Sequence, residues 1–547
     1  MLNNITVPFE NLPQFDLFDG GKMKLLTNVK EITANALFDS FKEQGYVLYD
    51  AHEDCGNRYA TFTKDNMAVH ISYFAPNGML RIVSEKLRAL PPVKAEGRKA
   101  VATPLVTQIR ATNFSIDCGM NYLIRMADGR FVVIDGGYGE YDESEHMYAL
   151  LQEQNVLDMP TIAVWFFSHP HGDHILGFLD FCKKYENEFL LERVCYNWAE
   201  LTLAPASCKH DHFDAYIDTI AHKTEVIIGH TGQRFVFDGC TFDVLYACED
   251  AYPEAIRNYN DTSMVLRMSL NGHRVLWLGD AQQQASQRIC QTFADEALRC
   301  EIVQVGHHGY GGGSDALYRI TDPELLLWPC PDFWFPVVRL WGANKYLITT
   351  PHLVENTYVS GQAETIWDFS KEKVQPIYIE DFQTDNYLYN ADFTKKSVTA
   401  LKWSCLTGGS TGYSALTIDF VDDGCHLTCR PNATSVCCLV QTYDLKGNDS
   451  YVLHLRGKQV AGEIQAGLLW NYEKPTTWNE ELVLPIVSED STIDCTLTVN
   501  AAEKTATLER GEEKIILSYE QNQTNGLHLV MRKGAEVELY EVSVKKL

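Results

Sequence analysis

This sequence predicts an α/β fold class, with a layered core between a small N-terminal α+β unit and a C-terminal β-sandwich. Two textures and one motif carry the prediction. Strand-like and helix-like runs interleave from about Val101 to Phe382, the rhythm of a layered α/β core. Short alternating runs parted by Gly, Asn and Asp then continue to the C-terminus, with no long amphipathic helix among them. The motif is a dense His/Asp loop directly after an apolar strand of the middle section. At 547 residues the chain exceeds one ordinary domain. Boundaries are read at 1–97, 98–385 and 386–547.

In the first unit, Ala36, Leu37 and Phe41 recur at helical spacing within Thr33–Glu43. Strand-like runs follow at Tyr46–Tyr49, Tyr59–Thr63 and Met67–Phe74, and the Pro76-Asn77-Gly78 turn leads into Met79–Val83. Pro91-Pro92 marks the end. His52 and His70 stand singly there, without a partner at ligand spacing.

In the middle section, Tyr122–Met126 and Phe131–Ile134 read as strands paired around Ala127-Asp128-Gly129. Helical segments at Glu145–Gln154 and Ile175–Tyr185 alternate with the apolar strands Ile162–Phe167 and Val275–Leu278. The last section carries Leu416–Val421, Tyr451–Leu455, Thr496–Val499, Ile515–Tyr519 and Val537–Val544. Trp470, Tyr472 and Trp478 offer either a stacking platform for sugar rings or ordinary core aromatics, so glycan or protein contact is expected of this section.

A net charge of −27 argues against general nucleic-acid or membrane-surface binding, because phosphates are repelled at long range. Bound metals can still reverse the sign of one cleft. Met1–Pro8 shows no basic region followed by an apolar run, and no apolar stretch is long enough to span a bilayer, so a cytoplasmic location is expected. The 16 cysteines are scattered and read as mostly reduced thiols. Cys425, Cys429 and Cys437-Cys438 fit buried thiols better than a structural zinc site.

Ser168-His169-Pro170-His171-Gly172-Asp173-His174 puts three imidazoles and a carboxylate within six residues, the nitrogen and oxygen donors that Zn²⁺-like ions prefer. Proline and glycine shape a tight loop in which side chains one or two residues apart can converge. An extended strand would point them to opposite faces.

The string has the form His-x-His-x-Asp-His, and here the sequence resembles the metallo-β-lactamase superfamily. The resemblance covers Val101–Phe382 and implies an αββα sandwich for the core. Asp135 in Ile134-Asp135-Gly136-Gly137 matches the carboxylate that supports the metal loop. His230 matches the distal histidine, Asp280 the carboxylate shared by both metals, and His307-His308-Gly309 the last histidine station. Asn260–Leu266, Gly279-Asp280 and the His307-His308-Gly309 triplet resemble the branch that holds competence-protein hydrolase domains and phosphorylcholine esterases.

The resemblance implies His169, His171 and His230 on one metal, with Asp173, His174 and His308 on the other and Asp280 between them. His307 then either donates a hydrogen bond to an oxyanion or packs beside the site. His222 lies near His230 as an alternative. His210-Asp211-His212, in the polar run Lys209–Asp214, reads as a solvated loop. His273 reads as an exposed turn residue, and His352 as a loop residue bordering the cleft.

Two zinc ions are the expected cofactors, with manganese or iron fitting the same donors. The function expected is a binuclear metal-dependent hydrolase, in which Asp173 orients a metal-bridging hydroxide. A phosphodiester is the first substrate class, and an ester, lactone or β-lactam the alternative. A third reading is a metal-dependent scaffold or glycan- or partner-binding protein without catalysis. No Gly-x-Ser-x-Gly elbow or Walker loop supports a rival enzyme class.

Overall fold

A computed structural model describes residues 13–17, 20–111, 119–139, 143–199, 208–256, 258–331, 335–339, 341–361 and 364–379. Beyond these it describes 404–407, 416–421, 424–429, 437–442, 450–468, 483–500, 502–518, 526–531 and 534–547. Trp470, Tyr472 and Trp478 lie outside the described residues, as do the side chains of Cys429, Cys437 and Cys438. Cys425 is a buried thiol.

The first sheet is antiparallel, in the order Gln14–Asp16, Lys22–Leu26, Met79–Lys86, Met67–Phe74, Asn57–Lys64, Val47–Asp54. Helix Glu31–Glu43 presses Ala34, Leu37 and Phe41 onto one face, against Phe62, Val69, Ile71 and Ile82. Tyr59, Phe74 and Met79 pack instead with Tyr246, Val265, Leu276 and Phe293 of the middle section. The N-terminal sheet is therefore joined to the middle section through a shared apolar cluster.

Two sheets make up the middle section. One orders Glu225–Ile228, Arg193–Tyr196, Thr161–Phe166, Phe131–Ile134, Tyr122–Arg125, Leu105–Gln108, Thr365–Asp368 and Gln375–Ile379. The other orders Arg234–Phe237, Cys240–Tyr246, Val265–Leu270, His273–Trp277, Ile302–Gln304, Leu325–Trp328 and Thr357–Val359. Tyr122, Ile124, Val132, Val164 and Phe166 of the first meet Phe235, Phe242, Met268, Val275 and Trp277 of the second in one buried cluster. Short helices pack outside these sheets. Gly172–Tyr185 contributes Ile175, Phe178 and Phe181, and Gln283–Thr292 contributes Ala285 and Ile289. Two further sheets, of five and seven strands, follow beyond Ser404.

The expected α/β class, and with it the metallo-β-lactamase αββα sandwich, is corrected by this architecture. Among the described residues strand clearly outweighs helix, so the architecture is mainly β. Helices interleaved with strands do not by themselves mark a layered α/β core. Beside parallel runs in both sheets, the structure joins Tyr122–Arg125 to Phe131–Ile134, Cys240–Tyr246 to Val265–Leu270, and Val265–Leu270 to His273–Trp277 antiparallel. Sheet connectivity, not the mere presence of helices, sets the class.

Three local readings also change. The supposed loop at Lys209–Asp214 is the start of helix His210–Ile220, which buries Phe213, Ile217 and Ile220. His273 is buried, with Nδ1 3.0 Å from Glu301 and Nε2 2.8 Å from the Lys371 carbonyl. His352 lies in the short helix Pro351–Glu355, 3.2 Å from the Pro323 carbonyl. Among the described residues no helix is long and apolar enough to cross a membrane.

A buried ion cluster ties the N-terminal sheet to the second middle sheet. Arg267 donates to Asp243 at 2.6 Å and lies 2.9 Å from Asp54, while Arg234 donates to Asp243 from the other side. Burial pushes the Asp243 carboxyl up, but Arg267 and Arg234 outweigh it and hold it below its ordinary range. Its contribution is therefore full above about pH 4 and fades as pH falls through the lower native value. Asp243→Ala should cost about 3 kcal/mol at pH 7, because it leaves buried Arg267 with one partner fewer. Urea unfolding should show that deficit shrinking in acid; an equal deficit at both pH values would contradict this account.

Candidate metal centre

Thr161–Phe166 is buried at every position and runs parallel to Phe131–Ile134, so both strands end at one edge of their sheet. Past those ends the chain turns sharply. Asp135 adopts φ 54°, and its N–H donates to the Phe166 carbonyl at 2.8 Å. Helix Gly172–Tyr185 then sits hard against this turn. A Cβ on Gly177 would lie 2.0 Å from the Gly136 carbonyl oxygen, so only glycine permits the approach.

Asp135 gathers the loop. Its carboxylate accepts from the Ser168 N–H, the Ser168 hydroxyl and His174 Nδ1, each at 2.7 Å. His169 Nδ1 lies 3.0 Å from the same hydroxyl, and His308 Nδ1 donates to the Pro329 carbonyl at 2.8 Å. Each of these three imidazoles thus has Nδ1 engaged by an oxygen, which directs Nε2 inward, the arrangement that orients metal-ligating histidines.

The inward atoms converge on Asp280. His169 Nε2 is 3.6 Å from one of its oxygens, and His174 Nε2 and His308 Nε2 are 3.3 and 3.4 Å from the other. Asp173 closes the group at 3.2 Å from His308 Nε2. Two donor sets result, each with ligand atoms within 4.8 Å of one another. One is Asp173, His174, Asp280 and His308; the other is His169, His171 and Asp280. His171 Nε2, His174 Nε2 and Asp280 Oδ1 are buried without a hydrogen-bond partner among the described residues. Buried nitrogen and oxygen atoms without well-aligned partners at such a density fit a pair of cations.

Electrostatics agree with the geometry. Burial holds His169 well below its ordinary value, helped by His174 and His171, and burial likewise lowers His171 and His307. Burial would lower His174 too, but Asp280, Asp173 and Asp135 outweigh it and raise it well above its ordinary value. Burial would raise Asp280, yet His174 and His308 hold it well below. Neutral imidazoles beside ionised carboxylates are the protonation states that bind metal. His174 departs from this: the three carboxylates around it keep it protonated, and a cation would have to displace that proton.

Of the residues predicted from the sequence, His169, His171, Asp173, His174, Asp280 and His308 are brought together, with Asp135 behind them. His230 is not. It falls in another group, with His70 and Glu85. His307 stands at the edge, with Nε2 3.9 Å from Asp280. Asn260 Nδ2 lies 2.9 Å from that Nε2, and Gln282 Nε2 lies 2.6 Å from Nδ1. His307 and His308 both have positive φ, 49° and 51°, which sends their rings in different directions from consecutive positions. Sequence reasoning missed Ser168, Asn260 and Gln282. Ser168 precedes the motif and gave no signal of its own; Asn260 was noticed only within a run.

No family model and no curated protein matches this chain. Among solved structures it is similar to a sialidase, at 10% identity and TM-score 0.23, over 34% of this chain and 21% of that one. A Bacillus subtilis protein of unknown function with a galectin-like fold matches at 12% and 0.21, over 29% of this chain and 94% of that one. The Emp47p carbohydrate recognition domain matches at 10% and 0.20, over 28% and 92%. The chain thus spans about a fifth of the sialidase's length.

His308→Ala should remove one metal per chain, whereas His307→Ala should keep both. Asp135→Asn should weaken zinc binding by about 10–100-fold, the usual loss when a ligand's outer partner is removed. Elemental analysis of zinc-saturated protein distinguishes the two histidines, and the opposite pattern would show their roles exchanged.

Proposed function

We propose that the chain is a binuclear metal-dependent hydrolase, acting first on phosphodiesters. One observation carries the proposal: two sets of buried, inward-facing donors share the single carboxylate of Asp280. Two bound cations would supply Lewis acidity and a water acidified to near neutrality. The protein's own residues do the positioning. Asp135 fixes the tautomer of His174, and Ser168 links that carboxylate to His169. Asp173, the least enclosed of its donor set, is placed to take and orient the proton of an attacking water. His307 is neutral by burial and steered by Asn260 and Gln282, so it can meet a substrate oxygen at the rim.

The order of Asp135, the His169–His174 loop, Asp280 and His307-His308 along the chain supports the hydrolase class. The closest motif resemblance supports the phosphodiester. Esters, lactones and β-lactams are the alternative substrates of the same chemistry. Metal-dependent scaffolding, with glycan or partner contact through the C-terminal sheets, is the reading without catalysis.

Zinc-loaded full-length protein should hydrolyse bis-para-nitrophenyl phosphate in preference to para-nitrophenyl acetate. The reverse preference assigns the ester reading, and no turnover with both metals bound assigns the scaffold. Asp280→Ala should abolish turnover and lower metal content together. His307→Ala should retain metal but lose about 10²-fold in rate, the typical loss for one oxyanion donor; an unchanged rate leaves that ring a packing role only.

A further inference from the structure

A second cluster, sharing no residue with the first, lies where the N-terminal sheet meets the middle section. His70 and Glu85 come from adjacent antiparallel strands, in which His70 is opposite Val83 and Ala68 opposite Glu85. That register puts the two side chains diagonally on one face of the sheet. His230 reaches the same point from the loop after Glu225–Ile228. Its ring stacks on that of His70 with centroids 4.7 Å apart.

The hydrogen bonds leave one atom of each residue facing the others. His230 Nδ1 lies 3.0 Å from Glu249, which is itself held by Asn197 at 2.7 Å. His70 Nδ1 lies 3.0 Å from the Thr61 hydroxyl. The Nε2 atoms of both rings then point at one oxygen of Glu85, at 3.2 Å from His70 and 3.4 Å from His230. His230 Nε2 is buried and makes no well-aligned hydrogen bond beyond its approach to Glu85. Burial would lower the His230 imidazole, but Glu249 and Glu85 outweigh it and raise it to about 10, so without a metal Nε2 carries a proton toward Glu85. A neutral ring with Nδ1–H given to Glu249 would turn a lone pair there instead. Two acceptors do not face each other in a buried site unless a proton or a cation lies between them.

We propose that His70, Glu85 and His230 form a further divalent-metal site of the zinc type, which pins the N-terminal sheet to the middle section. Two imidazole nitrogens and a carboxylate oxygen are zinc's usual donors, and a water or the second Glu85 oxygen completes four. Glu249 serves as the outer carboxylate that fixes the His230 tautomer. The metal would also balance half-buried Glu85 and, with Arg81, buried Glu249 when the rings are neutral. A proton held on His230 is the competing account, and metal content separates the two.

Full-length protein is stripped with chelator, reloaded with Zn²⁺ alone and measured by elemental analysis. His70→Gln and Glu85→Gln should each lose one zinc per chain and keep hydrolytic turnover of a small substrate. Asp280→Ala should still hold one zinc, and should lose it when His70→Gln is added. Unchanged zinc content in the His70 and Glu85 variants overturns the site. Should those variants fail to fold, anomalous diffraction at the zinc edge from crystals of the unsubstituted, zinc-saturated chain decides. A peak about 2.0–2.1 Å from both Nε2 atoms is expected, and an empty position there overturns the proposal.

Discussion

The carboxylate of Asp135 is the point on which the candidate centre hangs. It is fully buried, its backbone is in the left-handed region, and its two oxygens collect three donors at 2.7 Å. Its carbonyl accepts from Trp165 Nε1 at 2.9 Å, which ties the turn to the strand beside it. Burial raises its pKa, with His174 and Ser168 opposing. A carboxylate in that position remains charged only while its donors stay in place. The His174 tautomer, the Ser168 rotamer and through it the His169 ring therefore stand or fall together, as coupled buried networks do. The same group that orders the loop thus sets which nitrogens face inward.

Much of this was legible because it is local. The loop from His169 to His174 follows an apolar run, and Asp135, Asp280 and His308 each close a strand in the same way. Strand ends are marked by composition, so the stations could be found one at a time. Met67–Phe74 and Phe131–Ile134 were placed to the residue for the same reason. Fold class was not legible, because a helix between two strands does not reveal how those strands pair. His273 was misread because Asn271-Gly272 does form a turn, with Asn271 at φ 53°, but Glu301 and Phe369 come from elsewhere to cover the ring beyond it. His70 looked solitary because its partners lie on another strand and on a loop of a different sheet.

Sheet geometry explains why His230 left the set that the motif order assigned to it. Glu225–Ile228, Arg193–Tyr196, Thr161–Phe166 and Phe131–Ile134 are successive parallel strands, so Asp135, Ser168 and His230 all emerge at the same edge. Thr161–Phe166 and Phe131–Ile134 are neighbours, and their loops share one carboxylate. Glu225–Ile228 is two strands away from Thr161–Phe166, which at about 4.8 Å per strand is a displacement of roughly 10 Å. A histidine placed directly after that strand has to be carried back across Arg193–Tyr196 to join His169. Asn197, just past the end of the intervening strand, instead donates to the Gly229 carbonyl at 2.9 Å and to Glu249 at 2.7 Å, which holds the loop where it emerges. The N-terminal sheet then meets it there. Ser72 donates to the Thr231 carbonyl at 2.8 Å, and buried Arg81 pairs with Asp250, so both flanks of His230 are fixed by contacts from the first sheet. A chain lacking that sheet would keep Glu249 at His230 Nδ1 but lose His70 and Glu85 at its other face. The N-terminal unit is thus a structural part of the middle section's edge, and the fate of one histidine follows from which strand it ends.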